Sequence, residues 1–397
     1  MFACDTDRVP GPSDERDRDS VVYLDHAATT PLRPEARAAM LDWLGGRFGN
    51  PSGAHRVARA ARRAVDEARD VVADVVGCRP GEVIFTSGGT EADNLAVLGA
   101  HAARPGRVVA SAIEHEAVLA AVAQVDGSLV AVDRSGRIDI EALDAVLGPE
   151  VSVVSVMAAN NEVGTIQPIG EVAELVRRRA PDAVLHTDAV QAAAWLGLHE
   201  VAAAADLVAI SSHKVGGPQG VGALVARGGV PLRARALGGG QERELRSGTH
   251  DVAGIVGFAA ALAAAAAERE AERRRVAALR DRLAAGLAAV VPGLVDTVGG
   301  VTACPQLPGT LHVCVPGVES DALLFLLDEA GVCASAASAC ASGAQQASHV
   351  LAAMGVPAEA ARGALRLSLG WTTTDDDIDA ALAVVPAAVA RLREAAA

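Results

Sequence analysis

Lys214 is the only lysine among the 35 basic residues of this 397-residue chain; the other 34 are arginines. A guanidinium stays protonated and cannot act as an amine nucleophile, so arginine replaces lysine on a surface but not in carbonyl chemistry. Three readings of Lys214 stand side by side: an amine kept for Schiff-base chemistry, a point charge for a phosphate, or the residue left over by a bias towards arginine. Its neighbours decide among them.

Three further groups could work with such an amine. Ser87-Gly88-Gly89-Thr90-Glu91 falls between a strand pattern and a helix pattern. Glycines and free helix-start amides can cradle a phosphate there, although a plain turn would use the same residues. Ser211-Ser212-His213-Lys214 follows another strand and adds hydroxyls, an imidazole and the amine. Asp188, just past the strand ending His186-Thr187, reads either as a helix N-cap or as the carboxylate that keeps a pyridine-type nitrogen protonated. Amine, phosphate cradle and carboxylate together fit a pyridoxal 5'-phosphate (PLP) electron sink better than any one of them alone.

The elements that must position these groups are legible as a pattern. Between residues 80 and 230, short β-branched runs at Val83 to Thr86, Arg107 to Ser111, Leu129 to Val132, Val151 to Met157, Ala183 to Thr187, Leu207 to Ser211 and Gly222 to Val225 alternate with helical segments. This predicts an α/β fold with a mostly parallel, helix-covered seven-stranded sheet whose post-strand loops share one edge, where ligands bind. A long Ala/Arg/Glu helix from Val252 to Val291 leads into a smaller α+β domain, with strands at Thr310 to Val315 and Ala364 to Leu369. The expected organisation is a disordered tail over 1–20, a large domain over 21–260 and a small domain over 261–397 with a Ser/Ala/Cys-rich loop at about 334–346. The first residues of the large domain are allowed to pack on the small one.

Composition narrows the function classes. The net charge of −14 gives no cationic field for nucleic acid or anionic membranes. The uncharged run Val252 to Ala267 is shorter than the ~20 residues a bilayer span needs, and reads as a buried helix. Six cysteines with no C-x-x-C pair suggest neither disulfides nor a metal site, and fit a reducing cytoplasm.

Ten segments in order then resemble the NifS/IscS-type cysteine desulfurases, fold-type-I PLP enzymes of the class V aminotransferase-like group. They are Tyr23 to Pro31, Phe48 to Ser52, Phe85 to Asn94, Glu114-His115, Asn160 to Gly164, Ser211 to Lys214, Gly238 to Arg243, Arg246 to Thr249, Ser338-Ala339-Cys340 and Arg366 to Gly370. The resemblance implies a large domain of this fold and, by residue, that Lys214 carries the coenzyme and moves protons at the substrate α-carbon. His115 would stack on the ring and assist proton transfer, Asp188 pair with the ring nitrogen and Gln191 bond the ring hydroxyl. Gly89, Thr90, Ser211 and His213 would hold the phosphate, joined by Thr249 from a second subunit of a homodimer. Asn161 and Arg366 would bind the substrate carboxylate.

Cys340 decides which reaction such a sink serves. Its loop has no large apolar residue for some twelve positions, which suits a mobile arm, and a thiolate there would take sulfur from L-cysteine as a persulfide and leave L-alanine. A sulfur-acceptor protein would follow, whether an iron-sulfur cluster scaffold, a carrier or a tRNA-thiolation enzyme. The alternative is a related PLP aminotransferase or lyase, for instance selenocysteine lyase-like, in which Cys340 is incidental. Ala337 replaces a glycine common in the family's loop, Ser212 stands where glycine is common and Val190 where a hydroxyl is common; neither of the last two removes a catalytic group.

Overall fold

The β-branched runs of the first half form one sheet. The computed structural model describes residues 21–299, 304–336 and 348–396, with β1 (Val22–Tyr23) followed by β2 (Val83–Thr86), β3 (Arg107–Ser111), β4 (Ser128–Val130), β5 (Val151–Ser155), β6 (Val184–Asp188), β7 (Leu207–Ser211) and β8 (Gly222–Ala226). The spatial order is β2-β8-β7-β6-β5-β3-β4, parallel throughout except for the two pairings made by β8. The mostly parallel seven-stranded sheet is therefore as expected. Asp188 differs slightly: it is the last residue of β6, paired with Ala209, rather than just beyond the strand.

Helices cover both faces, so β2, β3, β5, β6 and β7 are buried almost throughout. Ile84, Val108, Val153, Leu207 and Leu224 face one helical layer, while Phe85, Val109, Val154, Val208 and Val225 face the other. The alternation is the period of two that a sheet covered on both sides requires. The helix Arg56–Val76 has no counterpart among the expectations, although its buried Ala58, Ala61, Val65, Ala68 and Val72 recur at three- and four-residue spacing. It ends at Gly77, whose φ of 76° is a left-handed cap that glycine adopts without strain.

The second core belongs to the C-terminal part. β9 (Val295–Asp296), β10 (Thr310–Cys314) and β12 (Ala364–Ser368) form an antiparallel sheet, and β11 (Val332–Cys333) pairs with β1. Leu24 packs in this second core with Leu311, Leu367 and Ile378. One continuous helix, Val252–Val290, joins the two: Ile255, Phe258 and Leu262 serve the first core, Val276, Leu283 and Leu287 the second. It is the one helix among the described residues long and apolar enough to cross a membrane, yet 56% of its apolar stretch is buried inside the protein. The Met1 to Ser20 tail and most of the Cys340 loop, Cys340 included, lie outside the described residues.

Candidate active site

The carboxyl ends of β2, β3, β5, β6 and β7 converge on a cavity of about 290 Å³ lined by Gly89, Thr90, His115, Asn161, Asp188, Gln191, Ser211, His213, Lys214 and Arg366, along with Asp93 and Met157. All of the twelve expected site residues except Cys340 are among the described residues, and ten of those eleven meet here. Thr249 is exposed on the loop after Arg246 and does not line the cavity.

Each residue arrives by a local cause. After β2 the chain turns at Gly88, whose φ of 148° is open to glycine, into the helix Gly89–Ala103, which starts without a side-chain cap. A Cβ on Gly222 at the start of β8 would come within 2.8 Å of the Gly88 backbone, so the turn sits flush on the sheet because residue 222 has no side chain. Gly88, Gly89, Thr90, Ser211 and His213 also line an adjoining opening of about 460 Å³. Free amides, a helix N-terminus and two hydroxyls form a niche suited to an anion.

Lys214 ends the short 3₁₀ turn Ser212–Lys214 that follows β7. Its Nζ donates to the carbonyls of Ala27 and Ala28 at 2.5 and 2.7 Å. The Gln191 amide also donates to Ala27 O, at 2.7 Å. The segment after β1 therefore closes one wall, held further by Thr30 Oγ1 donating to His213 O at 2.8 Å. Burial, then the Lys214 charge, lowers the His213 imidazole to about 4, so near neutrality it offers an uncharged ring N–H. His115 caps the helix Glu116–Gln124 by accepting from Ala117 N at 3.1 Å; the helix-start role and a place on the cavity wall coexist.

Arg366, on β12, crosses from the second core. Its Nη2 donates to Asp25 Oδ1 at 2.7 Å and its Nη1 to Asn161 O at 2.9 Å, while the buried Nε has no partner among the described residues. Asp25 was not anticipated; nothing in its sequence position distinguished it from the other residues of the Tyr23 to Pro31 match. Asp188 Oδ1 accepts from Val190 N at 2.8 Å. Burial raises the Asp188 carboxyl, and the charges of His115 and Lys214 act against that rise. Among the described residues no group of three or more His, Cys, Asp or Glu is placed to hold a metal ion.

Against known proteins, residues 22–381 match the aminotransferase class-V family model. The chain belongs to the class-V aminotransferase family. It is 45% identical to an IscS-like cysteine desulfurase of Mycobacterium tuberculosis over 95% of this chain and 98% of that protein. A NifS-like protein of solved structure superposes with a TM-score of 0.84 at 33% identity, covering 95% of this chain and 99% of the other. SspA, solved in complex with cysteine, superposes at 0.75 with 30% identity over 87% and 98%. This family member is an enzyme of the cysteine desulfurase type, a PLP-dependent class, and the aminotransferase or lyase alternative is not favoured.

The residues present fit that coenzyme. One wall carries a primary amine, the sheet edge a buried carboxylate and the β2 turn an anion niche, all around the same void. Asp93 on that wall lies inside the matched Phe85 to Asn94 segment, and its burial beside Asp188 marks it out.

Proposed function

We propose that this chain holds PLP in the 290 Å³ cavity, takes up L-cysteine there and passes its sulfur to Cys340. The observation that carries the reading is the meeting of the only lysine with Asp188, His115 and the Gly89-Thr90 turn around one void. Bound there, the coenzyme supplies an electron sink for the α-carbon of the substrate. Lys214 Nζ binds its aldehyde and then holds or returns the α-proton. Asp188 keeps the ring nitrogen protonated, His115 covers the ring face and Gln191 meets the ring hydroxyl. Gly89, Thr90, Ser211 and His213 hold the phosphate. Arg366 and Asn161 hold the substrate carboxylate, with Asp25 fixing the plane of the guanidinium.

The Cys340 thiolate forms an S–S bond to the substrate sulfur as the C–S bond breaks; the carbon takes a proton and leaves as L-alanine. The persulfide is then available to an acceptor protein. A homodimer supplies Thr249 to the partner's phosphate niche. Apolar exposure supports that pairing: Leu41, Leu44 and Phe48 are 55%, 66% and 76% exposed beside a cleft of about 950 Å³ between the helices Pro34–Leu44, Arg56–Val76 and Val252–Val290. The described cysteines Cys78, Cys304, Cys314 and Cys333 are all free thiols, consistent with a cytoplasmic protein.

Borohydride reduction of the PLP-loaded protein should tag a single peptide, the one with Lys214. Cys340→Ala should keep the coenzyme absorption band and lose sulfide release from L-cysteine. Sulfide release that survives this substitution would remove Cys340 as the acceptor.

A further inference from the structure

Behind Asp188 the core holds two more acids that the reaction does not use. Asp93, on the helix Gly89–Ala103, and Glu114, just before His115, are 1% and 0% exposed. His186 on β6 and Ser155 on β5, both 0% exposed, lie between them. The four make a string: Asp93 Oδ1 is 3.4 Å from His186 Nε2, His186 Nδ1 is 2.8 Å from Ser155 Oγ, and Ser155 Oγ is 3.5 Å from Glu114 Oε2. Glu114 Oε1 accepts from Met157 N at 2.7 Å. Asp93 Oδ1 and His186 Nε2 have no hydrogen-bond partner among the described residues, and Asp93 lines the same cavity as Asp188.

The direction of the hydrogen bonds sets how the string is wired. Ser155 Oγ donates to Glu114, so it accepts from His186 Nδ1–H, and the neutral imidazole turns the lone pair of Nε2 towards Asp93. The 3.4 Å approach of Asp93 Oδ1 then sets two lone pairs against each other unless Asp93 itself carries the proton. Asp93 Oδ1 has no donor among the described residues, and an unsatisfied buried anion is the more expensive outcome. We propose that Asp93 is a neutral carboxylic acid that donates to His186 Nε2, with His186 Nδ1–H donating to Ser155 and Ser155 to Glu114. Asp93 and His186 are thereby positioning residues: they leave Asp188 as the charged acid facing the ring nitrogen.

The surrounding charges agree. Burial, then the neighbouring acids Asp188 and Glu114, pushes Asp93 well above the usual carboxylate range. Burial lowers His186 to about 3, which keeps the imidazole neutral. No arginine or lysine forms an ion pair with Asp93 among the described residues. An ionised Asp93 would oppose the ionisation of Asp188 across a dry core.

The assignment rests on the cavity being the coenzyme site, and the two can be tested apart. Infrared spectra of the coenzyme-free protein at pH 7 should show protonated-carboxyl stretches, one of which is lost in Asp93→Asn. That substitution preserves shape, neutrality and a donor towards His186. In the PLP-loaded protein, Asp93→Asn should leave the pH titration of the coenzyme band in place, while Asp188→Asn moves it. If Asp93 is instead a carboxylate, Asp93→Asn deletes no acid stretch and lowers the apparent pKa of the band by roughly one pH unit or more; either result overturns the proposal. A wild-type protein that takes up no PLP would sink the reading of the cavity, while the infrared result would still decide the state of Asp93.

Discussion

Glu242 and Glu114 are both carboxylates in the dry interior, 5% and 0% exposed, and the protein treats them in opposite ways. Burial alone would raise both. At Glu242 it is overcome by hydrogen bonds: His250 at 2.6 Å, the Arg69 fork at 2.6 and 2.7 Å, and Phe85 N at 2.9 Å carry the group down to about 2. Glu114 has one backbone donor and a long contact to Ser155, and burial takes it up to about 8. The first region is scaffold: it ties the helix Arg56–Val76 and β2 to the loop before Thr249, where Glu242, Arg243 and Glu244 all take positive φ. The second backs the cavity. Cations and amides are used where a strained loop must be held, and withheld next to Asp188, where a further ionised acid would disturb the group that matters.

The comparison breaks most violently at Arg69. This side chain also donates to Val83 O at 2.8 Å and lies over the Phe85 ring at 4.6 Å. Arg69→Met keeps much of the volume but abandons the Glu242 charge in the core, for which a loss of about 3–5 kcal/mol in urea unfolding is expected. If the loss is below about 1 kcal/mol, Glu242 is not held as an ion by Arg69.

Glu242→Gln should cost less, roughly 2 kcal/mol at pH 7, because neutral hydrogen bonds remain. Its pH dependence carries the sharper information. The folded group lies below its unfolded value, 4.5 against about 2, so its contribution is complete above the unfolded value and is lost as pH falls through the folded one. The gap between wild type and variant should therefore shrink between pH 4.5 and 2. A gap that is constant there would mean the carboxylate is not preferentially ionised in the fold.

Much of this architecture can be read from the chain. β2, β3 and β7 match their β-branched runs residue for residue, because strands buried on both faces are written as continuous apolar stretches. Lys214 announced itself through composition, and the glycine turn through its place between strand and helix. What stayed hidden was pairwise: Asp25 meets Arg366 across 341 residues of chain, and Arg69 meets Glu242 across 173. A single sequence contains no signal for which acid will face which guanidinium. Asp93 illustrates the same limit inside a segment that was noticed, since a carboxylic acid in a dry core and a surface aspartate are spelled alike.

The smallest expected effect lies on the Glu114 side and has the opposite sign. Below pH 4.5 the group is protonated in both states, so Glu114→Gln exchanges one neutral side chain for another and should change stability by about 1 kcal/mol or less. Between 4.5 and about 8 the folded protein retains a proton that the unfolded chain has released, so the contribution of Glu114 declines as pH rises, by up to ~1.4 kcal/mol per pH unit. Glutamine has no such loss. The variant should therefore gain on the wild type across this window and be the more stable protein near pH 8, the reverse of the acid-limb behaviour at Glu242. Urea midpoints taken at pH 5, 6.5 and 8 give the comparison directly. If the two proteins keep a fixed difference across that range, Glu114 ionises as easily inside the fold as outside it, and the contrast between the two buried acids disappears.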